Sequence, residues 1–149
     1  MSLREVVAQA EAVARPSASG KRHSVTLDLP EDLPRVVADR DRLAQVLINL
    51  LDNGVKFTPE EGRIEVSARS ALGRVVVSVK NNGVGIPPED IGRIFERFCR
   101  VGRSRDRREG GTGLGLAIAK HLTQAMGGTI EVESLGGSGT TFCVSLPAA

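Results

Sequence analysis

Asn49, Asn53 and Lys56 stand four and three residues apart within the segment NLLDNGVKFT, Asn49 to Thr58. At about 100° per residue they fall within roughly 60° of one another, on one stripe of a helix. Two carboxamides and an ammonium on one stripe can ligate a hard cation, exchange hydrogen bonds and attract phosphate. A solvated polar face is the commonest fate of such residues, and the stripe seen alone favours that reading. Three further blocks follow in order: NNGVGI (Asn81 to Ile86), GGTGLGLAIAK (Gly110 to Lys120) and GGSGTTF (Gly136 to Phe142). Each sets glycines or amides at the end of a helix or strand, where backbone N–H groups are free to meet an anion.

The third block is the sharpest. Gly111, Gly113 and Gly115 alternate where an apolar-periodic helix begins. Glycine in a helix interior costs about 1 kcal/mol relative to alanine, so three near one helix start ask for a reason. Close approach of a phosphate chain to bare N–H groups at the positive helix end supplies one. Tight helix-on-sheet packing explains one such glycine comfortably and three poorly. Neither the P-loop nor the Rossmann spacing is present. In the second block, Gly83 and Gly85 permit a turn outside the space of L-residues, and Pro87 and Pro88 stop any strand. Asn81 is thereby left at the end of a strand.

In order and spacing, the four blocks resemble the N box and glycine boxes of the sensor histidine kinase ATP-binding domain, within the GHKL ATPase superfamily. The resemblance runs from about Val25 to Leu146. It implies ATP and magnesium as cofactors, with Asn53 ligating the metal through its side-chain oxygen and Lys56 contacting phosphate. Asn49 occupies the position at which water-hydrolysing relatives carry a general-base glutamate; an amide cannot abstract a proton, which points to the kinase branch. Asn81 stands where the family usually has an aspartate that accepts from the adenine amino group. An amide keeps a carbonyl acceptor and loses the charge assistance. Gly54 replaces the family's usual alanine. Ile94 to Arg100 resembles the F box: Phe95 and Phe98 would pack beneath a lid, Cys99 replaces a common tyrosine, and Arg100 would reach the terminal phosphates. Asn49, Lys56 and Arg100 form the implied catalytic set. Implied nucleotide contacts are Asn53, Asn81, Gly83, Gly85, Ile86, Gly111, Thr112, Gly113, Leu114, Gly115 and Leu116. Thr140 lies either near adenine or only in a turn.

These residues need elements to hold them. Helical spacing from Leu3 to about Arg15 stops at Pro16. Val25, Leu27 and Leu29 alternate as a strand facing a core, and Val36 with Val37 makes a second short strand. Leu43, Val46, Leu47, Leu50 and Leu51 form one apolar helix face. Ile64 to Ala68 and Val75 to Val79 alternate around a turn at Gly73, a hairpin. Leu114, Ala117, Ile118, Leu122 and Ala125 mark a helix closed by Gly127 and Gly128. Ile130 and Val132, then Phe142, Val144 and Leu146, give two closing strands. The expected fold is a two-layer α/β sandwich, a mixed sheet with helices on one face; the resemblance makes it a Bergerat-type ATP-binding fold, one domain over residues 1–149.

Composition excludes several other classes. At 149 residues the chain can bury a core without disulfides or metals. Cys99 and Cys143 form no CxxC pair, so no metal or redox motif is present. No apolar run approaches the roughly 18 residues of a membrane span, and the expected compartment is cytoplasm, although a full-length kinase could be membrane-anchored. Net charge is +2, but Arg100, Arg103, Arg105, Arg107 and Arg108 crowd one segment. With no Trp or Tyr and four Phe, base stacking is poorly served, so no nucleic-acid partner is expected. A phosphate-gripping lid fits the arginines better than a merely solvated loop. His23 is followed by Ser24, and His121 by Leu122 and Thr123; neither has the acidic neighbour of a phosphoacceptor histidine. The resemblance therefore implies the catalytic part of a longer kinase. Its partners would be a helical dimerisation and phosphoacceptor domain and a response regulator, and the isolated domain would be a monomer. Two rivals remain open: a nucleotide-binding regulatory module without kinase activity, and a serine kinase of the anti-sigma-factor type.

Overall fold

The computed structural model describes residues 2–83, 94, 115–134 and 139–148, and among these residues are five strands and three helices. In chain order they are α1 (Leu3–Gly20), β1 (Ser24–Asp28), α2 (Arg40–Phe57), β2 (Arg63–Ala71), β3 (Arg74–Asn81), α3 (Gly115–Ala125), β4 (Thr129–Ser134) and β5 (Thr140–Pro147). The sheet order is β1-β2-β3-β5-β4. β1 runs parallel to β2 and the other pairs are antiparallel, so the sheet is mixed.

Register explains which face is buried. Val66 pairs with Val79, Val79 with Phe142, and Phe142 with Val132, giving one apolar row across four strands. Ala68, Val77, Val144 and Ile130 form the next row. Alternation sends Glu65, Ser67, Lys80 and Glu131 to the opposite face, so all helices must pack on the apolar one. α2 supplies Leu43, Val46, Leu47, Leu50 and Leu51, all buried, and α1 adds Leu3, Val6, Val7 and Ala10. Each such side chain contributes roughly 1.5–3 kcal/mol by leaving water. The result is the two-layer α/β sandwich expected.

α2 matters most because it carries the amide stripe. The Asp39 side chain caps it, accepting the Arg42 N–H at 3.1 Å. At its other end Lys21 Nζ donates to the carbonyls of Val55, Lys56 and Thr58, at 3.0, 3.2 and 3.4 Å. His23 Nε2 carries its proton toward the carbonyls of Thr58 and Pro59, at 3.1 and 2.9 Å. Cations at a helix C-terminus satisfy orphan carbonyls and oppose the dipole. The linker between α1 and β1 therefore clamps the end of α2 that bears Lys56.

Four details differ from the sequence expectations. Pro16 does not end α1; it lies inside a helix that continues to Gly20. Proline removes one backbone donor and leaves the later turns free to form, and buried Ala18 anchors them. Val36 and Val37 form no strand: Val36 makes a single antiparallel bridge to Ala148. Leu27 is 43% exposed because β1 is an edge strand beyond the reach of the main core. On α3, Ile118 is 44% exposed and Ala125 also faces out, while Ala119 and Thr123 are buried. Thr123 tolerates burial by donating its hydroxyl to the Ala119 carbonyl at 2.7 Å.

Candidate functional site

The apolar face of the sheet ends in a polar row. Ile64 pairs with Asn81, Asn81 with Thr140, and Thr140 with Ser134. Asn81 is 3% exposed and Thr140 5%, so two polar side chains lie buried side by side where the neighbouring rows hold valine and phenylalanine. Buried polar groups need partners. Here Ser134 Oγ and Thr140 Oγ1 lie 3.5 Å apart, and Asn81 Oδ1 accepts the Gly83 N–H at 3.0 Å.

Three glycines surround Asn81. Gly83 supplies that N–H. Gly139, at φ +97°, packs against the Asn81 backbone: a Cβ there would drive into the Asn81 carbonyl oxygen and lie 3.0 Å from Asn82 Cα. Gly54, on α2, faces the amide from the helix layer. A Cβ there would stand 4.0 Å from Asn81 Nδ2 and 3.7 Å from Ile64 Cδ1, in ordinary contact. The bare Cα of Gly54 thus leaves a methyl-sized space beside the carboxamide.

The stripe on α2 divides into three roles. Asn49 accepts from Gln45 Nε2 at 2.8 Å and donates to the Gly115 carbonyl at 3.1 Å, tying α2 to the first turn of α3. Asn53, one turn on, is half-buried, and its side chain makes no hydrogen bond among the described residues. Lys56 pairs with Asp52 at 3.2 Å, with its side chain one-third exposed. Such a surface pair contributes at most about 1 kcal/mol, so a phosphate can compete for the ammonium. No cluster of three carboxylate, thiol or imidazole ligands occurs among the described residues. A single amide oxygen beside phosphate oxygens is a donor set that magnesium accepts, since it keeps few protein ligands; the residues present fit that ion.

Gly115 opens α3, and a Cβ built on it would meet nothing within 4 Å. Packing against the sheet therefore does not require glycine at this position. Leu116 is half-buried against the core. The structure thus ties Asn49 to Gly115 at the start of α3, sets Asn53 and Lys56 further along α2, and places Asn81, Gly83 and Thr140 at the sheet end beside Gly54. Arg100, Gly85, Ile86, Gly111, Thr112, Gly113 and Leu114 lie outside the described residues, as do Phe95, Phe98, Cys99 and the arginine run. Sequence reasoning missed Lys21 as the clamp on α2, for which its position between a helix and a strand gave no signal. The contact of Gly139 with Asn81 was equally hidden.

A family model described as histidine kinase-, DNA gyrase B- and HSP90-like ATPase matches residues 38–149, three quarters of the chain and all of the site. The chain belongs to that ATPase family. Several relatives it resembles are kinases. The sensor histidine kinase WalK of Bacillus subtilis is 44% identical over 122 residues, covering 80% of this chain and 20% of the relative. The sensor-like histidine kinase SenX3 of Mycolicibacterium smegmatis is 37% identical over 142 residues, 95% of this chain and 37% of its own length. The chain thus spans well under half of these curated relatives. Among solved structures, the catalytic domain of histidine kinase ThkA superposes with a TM-score of 0.85 at 30% identity, covering 99% of this chain and 93% of that one. Full-length ShkA in complex with AMPPNP gives 0.86 at 35% identity, covering all of this chain and 30% of that one. ThkA in complex with the response regulator protein TrrA gives 0.81 at 29% identity, covering 100% and 41%. Within the ATPase family, this chain is a sensor histidine kinase catalytic and ATP-binding domain.

Proposed function

We propose that this domain binds ATP with magnesium and donates the γ-phosphoryl group to a histidine on a separate helical domain, as one component of two-component signalling. The observation that carries the proposal is the approach of α2 to the polar row: Gly54, next to Asn53 in the chain, faces the Asn81 carboxamide, and Asn81 pairs with Thr140 at one end of the sheet. Base recognition belongs to the buried Asn81 end, and phosphate handling to the α2 stripe and the start of α3. The Asn53 carboxamide oxygen would hold magnesium, which would supply charge neutralisation at the phosphates.

The other roles belong to the chain's own side chains. Lys56 holds phosphate as a point charge once Asp52 releases it. Asn49 positions the helix start at Gly115 and cannot act as a base, so water is not activated and ATP is kept for the acceptor. Transfer forms a bond between an imidazole nitrogen of the acceptor histidine and the γ-phosphorus. The bond from that phosphorus to the β,γ-bridging oxygen breaks, and ADP leaves with the bonding pair. Positioning and charge stabilisation are the whole contribution of such a domain. Arg100 and the glycines Gly111 and Gly113 are assigned to the terminal phosphates through the family resemblance. A response regulator aspartate is the proposed next acceptor.

The test is phosphotransfer in trans. The domain is incubated with γ-labelled ATP, magnesium and the separately expressed helical domain of the same kinase. Acid-labile label on that helical domain, absent when the catalytic domain is left out, is the expected result. ATP binding without any transfer to it overturns the kinase assignment and favours a nucleotide-binding regulatory module.

A further inference from the structure

α2 ends without a left-handed turn. Its C-cap residue Thr58 is extended, at φ −105° and ψ 127°, and Pro59 follows, which cannot take the conformation that returns N–H groups to the last carbonyls. Side chains meet that need instead. Lys21 Nζ donates to the carbonyls of Val55, Lys56 and Thr58, and His23 Nε2 lies within hydrogen-bond distance of those of Thr58 and Pro59. The Lys21 backbone is itself fixed on both sides: its N–H donates to the Ala18 carbonyl at 3.2 Å, and its carbonyl accepts the Glu61 N–H at 2.9 Å. The Ser24 N–H bonds the Gly62 carbonyl at 3.0 Å, so residues 21–24 splint the chain from Val55 to Gly62. One of the carbonyls gripped by Lys21 belongs to Lys56. Among the described residues the Lys56 side chain pairs with Asp52 alone, and that exposed pair lies within α2 and ties it to nothing else. The backbone of the last turn therefore sets where the Lys56 ammonium stands. Helix ends fray when their orphan carbonyls lack donors.

We propose that Lys21 is a positioning residue for phosphate binding: its ammonium holds the last turn of α2 by three carbonyls, that of Lys56 among them, and so fixes the side chain that meets phosphate. The inference rests on the nucleotide-binding reading above, in which Lys56 contacts phosphate, and adds the residue that keeps Lys56 in place. Lys21 acts through the helix end and touches no nucleotide. A neutral residue of similar length at position 21 leaves the apolar core intact and frees the last turn. Ordering Lys56 then falls to the ligand, and that entropy is subtracted from its affinity.

The test is a double-mutant cycle on ATP–magnesium affinity. Titration calorimetry is run on wild type, Lys21→Met, Lys56→Ala and the double variant, at a temperature where circular dichroism shows all four folded. Lys21→Met should weaken binding about fivefold in the wild-type background, and less than about twofold when Lys56 is already alanine. Val75→Ala, a buried change at the far end of β3 from Asn81, serves as the stability control. It should lower the melting temperature at least as much and leave affinity within about twofold of wild type, which separates positioning from lost stability. Should Lys21→Met fail to fold, Lys21→Gln, which keeps an amide donor, takes its place in the cycle with the same expectation. An equal loss in both backgrounds, an unchanged affinity in Lys21→Met, or a matching loss in Val75→Ala overturns the inference and leaves nucleotide binding intact. Lys56→Ala without effect removes Lys56 from phosphate and the inference with it. Failure of wild type to bind ATP–magnesium overturns the nucleotide-binding reading itself.

Discussion

Asn53 and Asn49 are the same residue type one helical turn apart, yet their surroundings assign them different work. Asn49 has both ends of its amide engaged within the fold, by Gln45 and by the Gly115 carbonyl. The Asn53 side chain is half-buried with no hydrogen-bond partner among the described residues, and the proposed function gives its oxygen to a metal. Asn53→Ala should therefore weaken ATP–magnesium binding at least about tenfold while changing magnesium-free ADP binding little, since only the first uses the metal bridge. Titrations of both ligands against the variant check this, with circular dichroism to confirm folding; equal losses would remove Asn53 from the metal. Gly139 makes a different demand. Its φ of +97° and its contact with the Asn81 backbone exclude any Cβ. Gly139→Ala should cost roughly 2 kcal/mol or more in urea unfolding and should displace Asn81. Most of the glycine blocks lie outside the described residues, while the helix carrying Asn49, Asn53 and Lys56 was legible from spacing. The pairing of Asn81 with Thr140 was not, because it joins residues 59 positions apart through register, which short-range patterns do not encode.

Elements show the same division. The apolar face of α2, the β2–β3 hairpin and the two closing strands were legible because strong periodicity coincided with burial. Pro16 misled: a proline signal reads as a stop, but a helix whose inner face is buried continues past one missing donor. Ile118 misled in the other direction, since α3 turns Ala119 and Thr123 inward and an aliphatic residue outward. Neither outcome is set within a few residues of chain; both depend on what packs against the helix. The clamp on α2 is likewise tertiary. Lys21 reaches three carbonyls at the end of the helix carrying Lys56, so Lys21→Met should remove charge-assisted bonds while keeping the aliphatic stem. A loss of about 1–2 kcal/mol is expected, a fall in melting temperature of roughly 2–8 °C by calorimetry. By contrast Gly54→Ala would make only ordinary contacts, 3.7 Å from Ile64 Cδ1 and 4.0 Å from Asn81 Nδ2, and should raise stability by about 0.5–1 kcal/mol through helix propensity.

At the scale of the whole molecule, the sheet's inner face does two jobs. Most of its rows anchor α2 through valine, isoleucine and phenylalanine, and its last row is given over to polar groups. A rigid apolar floor fixes the helix that carries the amide stripe, and the polar row faces that helix at Gly54; on the proposed reading, base and phosphate groups would be held at a set separation. Positioning of this kind is what phosphoryl transfer requires of a protein. Neither histidine is built to be phosphorylated: His23 Nε2 is committed to two carbonyls and His121 lies on the exposed side of α3. Incubation with γ-labelled ATP and magnesium should therefore leave the domain unlabelled, with very slow ATP hydrolysis; acid-labile label on either histidine would contradict this. The central claim is that the two ends of this site together hold ATP through magnesium, and titration calorimetry with ATP in the presence of magnesium and then of a chelator tests it most directly. The account predicts saturable one-site binding that weakens at least about tenfold when the metal is removed. Absence of saturable binding, or the same affinity with and without magnesium, would contradict it.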